Sequence, residues 1–140
     1  MNYKVCILAA GTGTRMGGVS DNIHKSVLPV NFKAVISHII EKFPLETEFV
    51  IAVGHKKETV IDYLSLAYPE RKFNFVEIDK YIGPGTGPGY SLLSCRRYLQ
   101  SPFIFFVADT IVLEDIPMPD QNWFGITPVK ETEKYCTVRI

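Results

Sequence analysis

Three short segments of this 140-residue chain carry groups that could handle phosphate. The first is Leu8-Ala9-Ala10-Gly11-Thr12-Gly13-Thr14-Arg15-Met16-Gly17. Small residues let backbone N–H groups approach an anion closely, and a guanidinium adds a rigid positive fork suited to phosphate oxygens. The second is His24-Lys25-Ser26-Val27-Leu28-Pro29-Val30, where Lys25 could reach the same phosphates as a point charge. The third is Val107-Ala108-Asp109-Thr110, where Asp109 ends an apolar run and offers hard oxygen to a divalent cation such as magnesium. Each segment alone has a plainer reading: a tight strand-to-helix turn with a surface arginine, a solvated lysine, and an aspartate that caps a helix or closes a turn. Two familiar phosphate motifs fail. The dinucleotide fingerprint GxGxxG started at Gly11 needs glycine where Met16 stands, and the Gly-Lys-Ser/Thr of a P-loop is absent.

The elements that must hold these segments alternate in type. Tyr3–Ala9 reads as a buried strand stopped by Gly11. Val35, Ile36, Ile39, Ile40 and Phe43 recur at helical spacing, which predicts a helix over Ala34–Phe43 closed by Pro44. Phe49–Val53 reads as a strand ended by Gly54, Val60, Ile61 and Leu64 mark a second helix, and Phe73–Ile78 alternates as a third strand. A glycine-rich loop, Gly83–Gly89, precedes a third helix marked by Leu92, Leu93, Tyr98 and Leu99. Phe103–Ala108 reads as a buried strand, Trp123–Thr127 as another, and Cys136–Ile140 as the start of one more. Such alternation implies right-handed crossovers and an α/β fold: a Rossmann-like, three-layer α/β/α domain with a mostly parallel sheet. In an open parallel sheet, ligands bind beyond the carboxyl ends of the strands, where strand order reverses. The loop after the first strand, the glycine-rich loop and Asp109 all lie past such ends.

Composition narrows the classes. The chain has 15 basic and 15 acidic residues, a balance that argues against a polynucleotide binder relying on a basic face, though not against a small phosphate ligand. Apolar residues make up 46% and charged residues 21%, which is globular rather than disordered. The length suits one domain. Cys6, Cys95 and Cys136 are odd in number and far apart, which points away from a disulfide framework or zinc cluster and towards a reducing cytoplasm. No apolar run approaches the roughly 20 residues that span a bilayer, and the N-terminal stretch does not read as a secretory signal.

Taken together, the first two segments resemble the N-terminal signature of the nucleotide-sugar pyrophosphorylases, the sugar-phosphate nucleotidyltransferases. That signature runs L-A-A-G-x-G-T-R-M, a short spacer, P-K-x-L-x-P-V, then a K-P-x-I-x-x-x-I helix. Leu8–Met16 matches throughout, and Lys25, Pro29, Val30, Lys33, Ile36 and Ile40 fall at the expected places. His24 stands where the family has proline, Ala34 replaces another proline, and Val27 replaces leucine. These departures bear on loop geometry more than on chemistry. The family's base-reading loop, often Gly-Thr-Ala, corresponds to Gly85-Thr86-Gly87, which by itself also reads as a flexible surface loop. The loop's flanks lean towards cytidylyl-type relatives that serve cell-surface polymers.

The resemblance implies a cytoplasmic enzyme of nucleotide-sugar biosynthesis or a related cell-surface polysaccharide pathway, and residues 1–140 as its nucleotide-binding part. It would transfer NMP from a nucleoside triphosphate to a phosphorylated acceptor and release pyrophosphate. Arg15 and Lys25 are the implied catalytic cations. Gly11, Thr12, Gly13 and Thr14 would cradle the triphosphate, while Leu8, Ala10, Gly85 and Thr86 would contact the nucleoside. Asp109 would hold Mg2+. No histidine or cysteine nucleophile is required, so His24, His38 and His55 read as incidental, with His55 near the crevice. Family members continue well past the metal aspartate, so the chain reads as either a truncated form or an unusually short protein, one that binds nucleotide but transfers poorly alone. Two alternatives stay open: a nucleotide-binding regulatory or inactive relative without turnover, and a dinucleotide-binding oxidoreductase domain. The latter needs an acidic residue after the second strand, where Gly54-His55-Lys56-Lys57 stands.

Overall fold

A computed structural model describes residues 2–14, 18–19, 21–131 and 133. The first apolar run forms strand β1 (Lys4–Ala9), whose five residues after Lys4 are all buried. A long loop then leads to a 3-10 turn at Lys25–Val27 and a small hairpin, β2 (Pro29–Val30) and β3 (Lys33–Ala34). The hairpin's two central residues, Asn31 and Phe32, have φ of 50° and 62°, the pattern of a type I′ turn. Helix α1 (Val35–Ile40) follows directly, then β4 (Glu48–Val53), α2 (Lys57–Ala67) and β5 (Lys72–Glu77). The chain continues through α3 (Pro88–Ser94), a 3-10 turn at Arg96–Tyr98 and β6 (Phe103–Val107).

The four long strands pair in parallel in the order β5-β4-β1-β6. Val5, Ile7 and Ala9 of β1 pack with Phe49, Ile51 and Val53 of β4, Ile104 and Phe106 of β6, and the apolar faces of α1 and α2. The alternate positions Cys6, Leu8, Val50 and Ala52 face the other way, against Cys95 and Leu99 beside α3. Strand periodicity thus buries both faces of the sheet, giving the expected three layers. The chain moves from β1 outward to β4 and β5, then returns through α3 to β6 on the opposite side of β1. Strand order therefore reverses between β1 and β6, and a ligand crevice is expected beyond their carboxyl ends.

Several boundaries differ from the sequence reading. The helix expected over Ala34–Phe43 is shorter because the hairpin takes Lys33 and Ala34 and a turn takes residues 41–43. The third helix ends at Ser94, and Tyr98 lies in a separate 3-10 turn. Pro88 and Gly89, expected in the loop, open α3 with proline at a helix start, where its missing N–H costs nothing. Trp123–Thr127 forms no strand: it pairs with no ladder among the described residues, and Phe124 and Ile126 face solvent. Its alternating pattern fits a strand, but a strand needs a neighbour to satisfy its backbone. Cys136–Ile140 lies outside the described residues.

Candidate functional site

Strand β1 hands the chain directly into the crevice. The Leu8 carbonyl accepts from Ala108 N–H at 3.1 Å, and the Ala10 carbonyl accepts from His55 N–H at 3.1 Å. These bonds carry the sheet one step past its last pairs and bring the ends of β6 and β4 against the end of β1. A Cβ at Gly11 would meet no atom of the described residues within 4 Å, so this backbone faces open space. Gly13 turns with φ 67°, a left-handed conformation that favours glycine. A Cβ there would lie 3.3 Å from Lys25 Cδ, so the lysine stem passes tightly beneath the loop.

Lys25 then reaches Asp109, with Nζ 2.5 Å from Oδ2. These two residues stand 84 positions apart in sequence. Both retain exposure, 24% for the Lys25 side chain and 52% for that of Asp109, so the pair borders the crevice and is not buried beneath it. The structure thus brings together Lys25, Gly13 and Asp109, with Gly11, Thr12 and Thr14 in the same short loop. Arg15 lies outside the described residues.

The other expected nucleoside contacts divide. Ala10 is at the mouth, buried, with its carbonyl already bound to His55 N–H. Leu8 is within the sheet, paired across to both Ala52 and Val107. Gly83-Pro84-Gly85-Thr86 has the pattern of a type II turn, with proline second and Gly85 third at φ 78°. Thr86 Oγ1 donates to the Gly83 carbonyl at 2.7 Å and locks that turn. The root of this loop is anchored at the site, because a Cβ at Gly54 would lie 2.8 Å from Tyr81 Cδ1 and 3.0 Å from the Ala10 carbonyl oxygen. Tyr81 also lies against the His55 ring, with centroids 6.1 Å apart.

His24 is not incidental. It is 1% exposed and hydrogen-bonded on every side. Burial pushes its pKa down to about 4, so the ring is neutral at neutral pH. Sequence reasoning missed this, as it missed Gly54, Tyr81 and Thr59. The signal available for His24 was its place before Lys25, where the family signature has a rigid proline.

Magnesium can be tested against the donor set. No three His, Cys, Asp or Glu residues cluster among the described residues, so no all-protein metal cage is present there. Asp109 offers one half-exposed carboxylate at the crevice edge. That suits a cation such as Mg2+, which commonly uses one or two carboxylates and takes its other ligands from phosphates and water.

A parallel α/β sheet with a glycine loop, a lysine and an aspartate converging at its switch point is the arrangement in which open α/β domains place a ligand. The chain belongs to the MobA-like NTP transferase domain family, whose model matches residues 5–116. A bifunctional protein GlmU from Methanococcus vannielii is 30% identical over 137 residues, which is 96% of this chain but 31% of that protein. A choline-phosphate cytidylyltransferase from Streptococcus pneumoniae is 39% identical over 103 residues, covering 72% of this chain and 42% of that enzyme. Among solved structures, a putative glucose-1-phosphate thymidylyltransferase from Bacillus anthracis superposes with a TM-score of 0.70 at 26% identity, covering 81% of this chain and 46% of that one. The chain therefore spans about a third to a half of the length of these relatives. The family model's residues 5–116 take in the sheet and the loops around its crevice.

Proposed function

We propose that this chain is the nucleotide-binding part of a nucleotidyltransferase. It takes a nucleoside triphosphate and a phosphorylated acceptor, such as a sugar 1-phosphate, and joins NMP to the acceptor with release of pyrophosphate. The observation that carries this reading is the Lys25–Asp109 contact at the strand-order reversal, packed beneath Gly13. A cation and a metal-type carboxylate meet there beside a backbone loop with room for an anion.

The chemistry is in-line displacement. An acceptor phosphate oxygen forms a bond to the α-phosphorus, the bond from that phosphorus to the bridging oxygen breaks, and pyrophosphate leaves with the electron pair. The protein makes no covalent bond. It must align two anions and offset their charge. Backbone N–H groups of Gly11–Thr14 hold the triphosphate, and Lys25 places its ammonium on phosphate oxygens. Arg15, by its place in the motif, adds a second cation. Asp109, with phosphate oxygens, would hold Mg2+, which when bound supplies further neutralisation of the triphosphate. The loop through Gly85 and Thr86 lies along the nucleoside, with its root fixed on Gly54 and Ala10.

The base is proposed as cytosine, supported by the loop flanks and by the likeness to a choline-phosphate cytidylyltransferase. A cytoplasmic setting and a role in cell-surface polysaccharide supply follow the same reading. No helix among the described residues is long and apolar enough to cross a membrane.

The test is thermal stabilisation by CTP, UTP, dTTP, ATP and GTP, each with and without magnesium. Ligand at about 100 times its Kd adds roughly 2.7 kcal/mol, which is readily seen as a raised Tm. A magnesium-dependent rise is expected with one triphosphate, largest with CTP. Lys25→Ala and Asp109→Asn should abolish that rise while changing stability without ligand by less than about 1 kcal/mol, because an exposed ion pair contributes little. Equal stabilisation of the variants and the parent would remove Lys25 and Asp109 from the site.

A further inference from the structure

We propose that His24 is a positioning residue that ties the Gly11–Thr14 loop, the Lys25 turn and the head of α2 into one unit, and thereby fixes where Lys25 presents its ammonium. Its consequence for catalysis rests on the nucleotidyl-transfer reading above. The geometry itself does not.

The imidazole joins two segments and the backbone joins a third. Nε2 lies 3.0 Å from the Gly11 carbonyl oxygen, which can only accept, so Nε2 carries the proton and donates. Nδ1 accepts from Ser26 N–H at 3.2 Å and lies 2.8 Å from Ser26 Oγ, whose hydroxyl donates to it. The ring therefore has one defined tautomer with both nitrogens engaged. The His24 backbone N–H donates to Thr59 Oγ1 at 3.1 Å, and that hydroxyl donates to the Lys56 carbonyl at 2.8 Å, at the start of α2. The next residue is Lys25, so a fixed His24 fixes the root of the lysine side chain. Gly13 confines the stem and Asp109 receives the tip.

The backbone of His24 has φ −68° and ψ 141°, values that proline adopts without strain. The family signature has proline here. Proline would set the same φ by ring closure, but it has no N–H for Thr59 and no polar ring atom for Gly11 or Ser26. This chain holds the turn by hydrogen bonds that require a neutral imidazole. A second ring proton would sit on Nδ1, facing the Ser26 N–H. Among the described residues, the charged and titratable groups that act on the ring are Lys25 on its own turn, His55 after β4 and Lys56 at the head of α2, and these three oppose protonation.

The experiment combines 15N-histidine NMR on the 140-residue chain with triphosphate titrations of His24→Ala, His24→Gln and His24→Asn. His24 should appear as the Nε2–H tautomer and stay neutral at about pH 5, well below the ordinary histidine range. An Nδ1–H tautomer, or charging in the ordinary range, overturns the proposal. In His24→Ala, the amide signals of Gly11, Gly13 and Ser26 should shift, and affinity for the magnesium triphosphate should fall about tenfold or more at temperatures where the variant remains folded. His24→Gln can still donate to Gly11, and His24→Asn can still accept from Ser26. Either should recover part of the affinity and move the loop signals back. A folded His24→Ala with parental affinity and unmoved loop signals overturns it as well. Should His24→Ala fail to fold, the two amide variants decide: parental loop signals and affinity in one of them support the proposal, and loss in both despite a native fold overturns it. If the parent chain binds no triphosphate, the nucleotidyl-transfer reading fails, and the tautomer and loop signals still decide the role of His24.

Discussion

At the scale of residues, the proposed site separates groups left open to solvent and ligand from groups held for shape. Lys25 and Asp109 meet at 2.5 Å but remain open to water, so their contact adds little stability and is easily exchanged for a ligand. His24 is the reverse: buried, fully bonded and neutral. That contrast has a pH signature. Burial lowers the folded pKa of His24 from 6.5 to about 4. Above pH 6.5 both folded and unfolded chains carry it neutral, and its contribution to stability is complete. As pH falls from 6.5 towards 4 the unfolded chain takes up the proton and the folded chain does not, so stability is lost across that window. At 1.36 kcal/mol per unit, the total loss approaches about 3 kcal/mol. Glu41 and Glu48 also have lowered pKa values, through hydrogen bonds to Lys33 and Lys4 respectively, but their contributions fade only as pH drops through and below 4.5. Denaturant melts at pH 7 and pH 5 should therefore show a loss in the parent that is much reduced in His24→Gln. An equal loss in both would place the titrating group elsewhere.

At the scale of elements, the crevice exists because loops after four strands close on one another, and Gly54 is where they are tightest. It joins β4 to α2, and Tyr81 from the loop after β5 and Ala10 from the end of β1 both touch the space a side chain would need. Tyr81 can swing, since its ring is only partly buried, but the Ala10 carbonyl is fixed by its bond to His55 N–H. Gly54→Ala is therefore expected to cost about 1–3 kcal/mol by overpacking. It should also push the Gly83–Gly87 loop off β1, weakening nucleoside binding more than inorganic triphosphate binding. Calorimetry with CTP and with tripolyphosphate separates the two. The sequence made the strands legible, because Tyr3–Ala9, Phe49–Val53 and Phe103–Ala108 are runs rich in apolar residues and too short for helices. It hid the β2–β3 hairpin, whose type I′ turn is built from Asn31 and Phe32 without the usual glycine. It also mistook Trp123–Thr127 for a strand, because alternation reports a preference for the pleat and says nothing about a partner. The candidate site divided the same way. Gly11, Gly13, Lys25 and Asp109 were legible from motif spacing. The role of His24 depends on Gly11 and Thr59, 13 and 35 positions away, which no local pattern encodes.

At the scale of the whole molecule, the described residues cover the two faces of the sheet unequally, and this sets how the site should breathe. Among the described residues, the face beneath α1 and α2 holds sixteen buried apolar residues in one cluster, and the face beneath α3 holds eight. Helix α3 has only seven residues, and the outward Phe103 and Phe105 of β6 remain 37% and 42% exposed. Among the described residues, strand β6 is moreover at the sheet edge, bonded to β1 alone. Fewer buried apolar contacts and an open edge give a lower local opening free energy. Native-state hydrogen exchange should therefore resolve two levels. The amides of β1 and β4 exchange only with global unfolding, while those of α3 and β6 open at lower free energy. Because Asp109 lies just past the end of β6, after Ala108, a bound magnesium triphosphate would tether the weaker flank to the stronger one through Lys25 and the Gly11–Thr14 loop. Protection of the β6 amides should rise towards the β1 level on addition of ligand, and that rise should be lost in Asp109→Asn. Uniform protection across all four strands without ligand would show instead that the thin face folds and opens as one unit with the thick one.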